Sequence, residues 1–326
     1  MTRNNRLLEF KHIEINIWKA CNNKCKFCMS SKPELWDIKF VPAEKLKEKI
    51  SKYAEQWFNS IWFLWGDISI YPKFYEIIEY SKKVGFQEIQ IITNWMVFSS
   101  KSMCQKVIDW WLTRINMSIH SHIDEVENYL TWVTSWLKKK LQAIDNFNEF
   151  YQQWLLKSPI SINIVLNSRN LQSIVETVLY YYKVKNIKDI RINFIWLDKD
   201  IKENWDDLKI SYTQFLPYLK KLIYISLKYN IRVTFDTVPP CILNKVLVET
   251  SPTLIKMFLW EDFDHITQID HINKDEQFNW KERKKSMLKR QFDPCRECIY
   301  TEQCQWVRYH YWELYWWSEF QPIVSK

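Results

Sequence analysis

Six short apolar stretches, at 12–18, 60–65, 87–93, 114–119, 159–166 and 189–195, alternate with segments of helical periodicity at about 43–58, 73–84, 101–111, 135–153 and 170–185. Strand and helix in regular alternation leave few folds open. A parallel strand pair needs a long crossover, usually a helix, between its members. Right-handed crossovers then gather the strands into one sheet. The expected class is α/β, built as a partial (β/α)6 TIM-like barrel. Its strands read as apolar on both faces, as a filled interior and an outer helical layer require. Chemistry is expected at the C-terminal ends of the strands. A further strand, Ile231 to Phe235, marks the end of this core, which gives a domain over 1–236 and a smaller extension over 237–326.

The first strand runs straight into Cys21, Cys25 and Cys28, spaced C-x3-C-x2-C. Three clustered thiols are an odd set for disulfides in a chain without a secretory signal. Three thiolates can hold three irons of a cubane [4Fe-4S] cluster and leave the fourth iron open. Zinc would want a fourth ligand nearby, and the next cysteine is Cys104. From spacing alone an iron–sulfur cluster, zinc and inert thiols all stay open. Cys104 sits in a helical pattern and reads as a buried structural thiol. A second set, Cys241 with Cys295, Cys298 and Cys304, supplies four thiols. Zinc and iron–sulfur fit it equally on chemistry.

The C-x3-C-x2-C spacing after a first strand, with Phe27 before the last cysteine, resembles the radical SAM superfamily. The resemblance implies that S-adenosylmethionine binds the open iron and yields a 5′-deoxyadenosyl radical that takes hydrogen from a substrate. Strand 2 ends in Trp65-Gly66-Asp67-Ile68, similar to the family's Gly-Gly-Glu-Pro; Trp65 departs from it, since an indole there meets the cofactor. Thr93-Asn94-Trp95 is similar to the family's Thr-Asn-Gly. By the same resemblance Trp65, Gly66, Asp67, Asn94, Ser118, Asn167 and Arg191 stand at expected cofactor-binding positions, and His120 is expected to bind S-adenosylmethionine or substrate, or to move a proton. The residues themselves leave plain alternatives: a structural histidine at 120, a helix cap at Asn167, a core ion pair at Arg191. The second cysteine set resembles a SPASM or twitch extension, which implies a second, auxiliary [4Fe-4S] cluster.

Glycine and tryptophan usage are both anomalous. The chain has 2 Gly and 19 Trp, where average usage gives roughly 23 glycines. Tryptophan also stands where turn chemistry asks for glycine, at Trp95 after Asn94, at Trp136 and at Trp316-Trp317. This pattern predicts a codon that the source organism reads as glycine and that stands here as tryptophan.

The net charge of +8 is modest. Lysine runs at 138–140 and 281–290 read as solvated faces. No apolar run approaches a membrane span, and no signal segment is evident, so a cytoplasmic protein with reduced thiols is expected. The aromatic tail after Cys304 reads as the end of the extension before it reads as a nucleic-acid platform. Expected partners are a peptide or protein substrate, then a small molecule, with tRNA less favoured and no membrane. A reductant such as flavodoxin or ferredoxin completes the set.

Overall fold

A computed structural model describes residues 11–17, 20–29, 41–64, 66–247, 252–259, 267–271, 276–304, 306–315 and 317–324. The strands are β1 (His12–Asn16), β2 (Ser60–Leu64), β3 (Glu88–Thr93), β4 (Arg114–Ser118), β5 (Ser161–Leu166), β6 (Asp189–Phe194) and β7 (Arg232–Asp236). Each pairs in parallel with the next. The crossovers carry α1 (Ala43–Glu55), α2 (Phe74–Lys83), α3 (Lys101–Asp109), α4 (Asp124–Thr131), α5 (Leu137–Gln152), α6 (Ser168–Leu171), α7 (Ile174–Lys185), α8 (Trp205–Leu208) and α9 (Tyr212–Tyr229). The fold is α/β, as expected.

The sheet is larger than six strands. β7 joins β6, and two strands from the C-terminal ninety residues, β8 (Thr267–His271) and β9 (Glu276–Asn279), extend it beyond β1. The order is β7-β6-β5-β4-β3-β2-β1-β8-β9. β8 runs parallel to β1, and β9 returns antiparallel. A small antiparallel pair, β10 (Lys289–Arg290) with β11 (Val307–Arg308), lies in the extension.

The helix-facing side of the sheet is apolar and closed. Ile13, Ile15, Ile61, Phe63, Ile89, Ile91, Ile115, Ile162, Ile190 and Ile192 are all shut off from solvent. The other side corrects the expectation of apolar residues on both faces. On β5 and β6 the alternate residues Asn163, Val165, Arg191 and Asn193 are half-buried and mostly polar. Asn193 Nδ2 donates to Asn163 Oδ1 at 2.8 Å, and Arg191 Nε donates to Asn193 Oδ1 at 2.9 Å. A polar inner face lines usable space.

The lysine runs are also corrected. Lys140 is fully buried, and Lys284 and Lys289 nearly so. Lys140 Nζ pairs with the equally buried Glu127 at 2.6 Å and donates to the Ser118 carbonyl at 3.0 Å. Burial of a lysine needs such a partner.

Ten described residues other than glycine have positive φ, and six are tryptophans: Trp57, Trp95, Trp111, Trp132, Trp154 and Trp306. Trp136 has φ −95° and is not among them.

Candidate functional site

The cysteine loop leaves the C-terminal end of β1 and is pinned to α4. Lys24 and Lys26 donate their backbone N–H groups to the Thr131 and Leu130 carbonyls at 3.1 and 2.9 Å. Cys28 N–H donates to the Cys25 carbonyl at 3.0 Å, which turns the loop back on itself. Phe27 packs edge-on against His120, with ring centroids 4.6 Å apart. The loop thus holds Cys21, Cys25 and Cys28 at one strand edge, each half-buried.

The three thiols lie within electrostatic reach of one another. Burial pushes Cys21 up to about 12, with Asp67 and Cys28 adding repulsion. Cys25 is raised as well, by burial and then by Cys28 and Cys21. Metal-free, Cys21 and Cys25 are thiols; ligation displaces their protons. Cys21 Sγ also accepts from Asn23 N–H and Asn94 Nδ2, each at 3.4 Å. N–H donors on a sulfur are what a cluster thiolate needs to hold its charge.

Among the described residues, no group of three or more His, Cys, Asp or Glu side chains stands ready to hold a metal ion. A single ion needs ligands converging on one point. A cubane takes each thiolate at a different iron, so it wants thiols spread around a space. The donor set here, three thiols with no fourth ligand among the described residues, fits the cubane.

Beside it, the ends of β2 and β3 are locked together. Gly66 has φ +65°, a left-handed turn that favours glycine. Asp67 N–H donates to the Ala20 carbonyl at 2.9 Å, which ties this turn to the cysteine loop. The buried Asp67 carboxylate accepts from Ser69 N–H at 2.8 Å, Thr93 Oγ1 at 2.9 Å and Asn94 N–H at 2.8 Å. Its side chain is therefore an internal latch. Trp65 lies outside the described residues.

His120 is buried at the end of β4. Its Nδ1 accepts from Val165 N–H at 3.1 Å, which places the ring proton on Nε2. Its backbone N–H donates to Glu127 at 2.7 Å. Burial holds the imidazole down at about 4, against the pull of Glu127. Ser118 is half-buried and its carbonyl faces Lys140. Asn167 caps α6: its Oδ1 accepts from Arg169 N–H at 3.0 Å, and its Nδ2 donates to the Val165 carbonyl at 3.0 Å. Arg191 pairs with Asp236 at 3.1 Å. Burial would raise the Asp236 carboxyl, but Arg191, Lys284 and Lys289 bring it down to about 2. Of the residues expected to bind cofactor, only Asn94 reaches a cluster cysteine directly in the described contacts.

Sequence reading missed Glu127 and Lys140. Glu127 Oε2 receives the N–H groups of His120 and Ser121 at 2.7 and 2.9 Å, bracing the β4 edge against the cysteine loop. No motif marks them; an acid and a lysine thirteen residues apart look like surface.

The second cysteine set is brought together. Cys241, Cys295, Cys298 and Cys304 line one cavity of about 450 Å³, part of it open to solvent. Burial and mutual repulsion push Cys241 up to about 12, with Cys304 its strongest neighbour. The aromatic tail packs inward. Tyr311 and Phe320 are buried, Phe292 stacks on Trp317 at 4.4 Å, and Tyr212 meets Tyr311 at 4.7 Å. Cys104 is buried, its Sγ 3.0 Å from the Phe98 carbonyl.

A parallel α/β sheet with a thiol triad at the end of its first strand defines a cluster-binding enzyme core. The chain belongs to the radical SAM superfamily, whose sequence profile matches residues 15–180. It is 23% identical over 207 residues to a GTP 3′,8-cyclase of Staphylococcus haemolyticus, covering 61% of this chain and 58% of that protein. It is 25% identical over 230 residues to a probable GTP 3′,8-cyclase of Saccharolobus solfataricus, covering 68% and 67%. Its fold resembles Streptococcus suis SuiB bound to S-adenosylmethionine, with TM-score 0.60, 15% identity and coverage of 86% of this chain and 65% of that one. It also resembles anSMEcpe with bound AdoMet and a Cp18Cys peptide, with TM-score 0.54, 16% identity and coverage of 69% and 63%.

Membership implies an enzyme with a [4Fe-4S] cluster and S-adenosylmethionine. Among the described residues no helix is long and apolar enough to cross a membrane.

Proposed function

We propose that this chain abstracts hydrogen from a peptide or protein substrate, in the manner of a maturase, from a cytoplasmic, reducing setting. The observation that carries the reading is the thiol triad at the β1 edge, joined through Asn94 to the Asp67 latch. When bound, the cluster and S-adenosylmethionine supply one-electron cleavage and a radical able to take hydrogen. The chain's own residues do the rest. Cys21, Cys25 and Cys28 hold three irons. Asn94 donates to Cys21 Sγ, and Gly66 gives the left-handed backbone turn at the end of β2. Buried, neutral His120 and the Glu127–Lys140 pair fix the wall of the site. A dry, rigid wall keeps a reactive species from water and side reactions. Peptide substrates are supported by the likeness to SuiB, which has been solved with the precursor peptide SuiA.

The four cysteines around the second cavity suit an auxiliary [4Fe-4S] cluster in a twitch-like extension. Cys241 lies just after β7, at the start of the extension, and the other three lie at 295–304, so such a cluster would staple the tail to the edge of the core.

A small anionic molecule is the second reading, favoured by the GTP 3′,8-cyclase relatives. The deciding experiment is anaerobic reconstitution, reduction and assay of 5′-deoxyadenosine. Formation of 5′-deoxyadenosine, lost in Cys25→Ala, is expected; no formation sinks the enzyme reading. Deuterium transfer from a labelled peptide pool, or from labelled nucleotides, separates the substrates. Metal analysis should give about eight irons per chain, falling to about four in Cys295→Ala/Cys298→Ala. Zinc in place of the second four would remove the auxiliary cluster.

A further inference from the structure

A second concentration of charge lies at the C-terminal ends of β6 and β7, beneath the extension. Lys289 and Arg308 face each other across the β10–β11 ladder. With Leu197 and Asp198, which follow β6, Arg308 lines a cleft of about 360 Å³. Arg308 Nε and Nη2 are buried there and have no hydrogen-bond partner. A guanidinium is a fork of donors that cannot shed its charge. Leaving two of its nitrogens buried and unpaired is costly. The nearby Asp236 and Asp198 pull on Arg308 through space, while the hydrogen bonds they accept come from other donors. Asp236 is held by Arg191 at 3.1 Å and by Thr237 N–H at 2.8 Å, and Asp198 accepts from Asp200 N–H at 3.1 Å. Lys284 and Lys289 add two further buried amines to the same neighbourhood. Burial lowers Arg308 to about 9, against the pull of Asp236 and Asp198.

We propose that Arg308 binds an oxyanion of the substrate, a phosphate or a carboxylate, in this cleft. The assignment rests on the reading of the strand ends as the substrate side of the enzyme. The planar fork suits two oxygens of one group, and Trp196 covers the face of the guanidinium.

The test is calorimetric titration of the reconstituted holoenzyme with pyrophosphate, inorganic phosphate and glutarate. Saturable binding of at least one is expected, weakened at least about tenfold in Arg308→Gln, less in Arg308→Lys, and by added salt. Tighter pyrophosphate assigns a phosphate; tighter glutarate assigns a carboxylate. No saturable binding of any of the three, or equal affinity in Arg308→Gln, overturns the subsite. Cleavage of S-adenosylmethionine in the same preparation keeps the two readings apart. Cleavage without anion binding removes only the subsite, and binding without cleavage removes only the radical chemistry.

The left-handed tryptophans carry an independent inference. After α2, Gly85 N–H donates to the Lys82 carbonyl and Phe86 N–H to the Ser81 carbonyl. That pair of bonds is the Schellman ending of a helix, with glycine at its left-handed position. Trp57 and Phe58 close α1 with the same two bonds, to Ala54 and Tyr53. Trp111 and Leu112 close α3 on Ile108 and Val107, and Trp154 and Leu155 close α5 on Tyr151 and Phe150. The φ values are 64°, 71° and 61°. A bulky side chain is disfavoured there, and no burial compensates: Trp57 and Trp154 are 83% and 92% exposed. Buried Trp95, also left-handed, leaves its indole nitrogen unpartnered.

We infer that positions 57, 111 and 154 are glycine in the protein made by its own cells, through a codon that those cells decode as glycine. Mass spectrometry of peptides from the native source, spanning the three helix ends, decides it. Glycine is expected at all three; tryptophan at any of them overturns the inference.

Discussion

The Asp67 carboxylate accepts the backbone N–H of Asn94 at 2.8 Å, while the side chain of the same Asn94 donates to Cys21 Sγ at 3.4 Å. One buried acid thus sets the position of a cluster ligand's hydrogen-bond partner. Removing it strands the donors of Thr93, Ser69 and Asn94. Asp67→Ala should destabilise the metal-free chain by about 2–3 kcal/mol, measured by urea unfolding. Asn94→Ala should leave that stability nearly intact and instead speed iron loss in air, followed by visible absorbance.

The Glu127–Lys140 pair offers a sharper stability test. Both partners are buried, and Glu127 also receives two backbone N–H groups. Breaking such a pair from one side leaves an uncompensated charge. Lys140→Met should cost about 3–5 kcal/mol. The double variant Glu127→Gln/Lys140→Met should cost less than the sum of the two single changes.

Stability should depend on pH through His120. Its folded value lies near 4, below the ordinary 6.5, because burial disfavours the imidazolium. Between these values the unfolded chain binds the extra proton, so acid favours unfolding. The His120 contribution is full above about 6.5 and is lost as pH falls toward 4, up to about 3 kcal/mol. Asp236, depressed to about 2, adds a second loss below about 3.8. Unfolding of the metal-free chain across this range should show both slopes, and His120→Gln only the lower.

Replacing Trp57, Trp111 and Trp154 by glycine should stabilise the chain, by about 1 kcal/mol at each helix end. Thermal melts of the single and triple variants check it; a lower melting temperature would contradict the strain seen at these positions.

Much of this was legible in the residues. The first six strands fall within a residue or two of their apolar stretches, because parallel strands under helices carry dense β-branched residues. The thiol triad stood out by its spacing, which left zinc and inert thiols open until the family resemblance was added. β8 did not: Thr-Gln-Ile-Asp-His has no periodicity, and its place beside β1 is set by a long-range pairing. Asn167 and Arg191 looked like cofactor ligands, and the described contacts put them in a helix cap and an ion pair. Local sequence names the donor and cannot name its partner. Lys140, Lys284 and Lys289 read as surface for the same reason.

The placement of β8 has a consequence for biosynthesis. β1 and β2 are made well before β8, so β1 can gain β2 early, but its other edge waits for residues 267–271. Until then the strand that presents the cysteines offers an unpaired backbone edge, open to wrong partners. A nascent chain stalled before that point should be sticky and able to bind iron only loosely. Firm assembly of the cysteine site would therefore wait until residues 267–271 have been made.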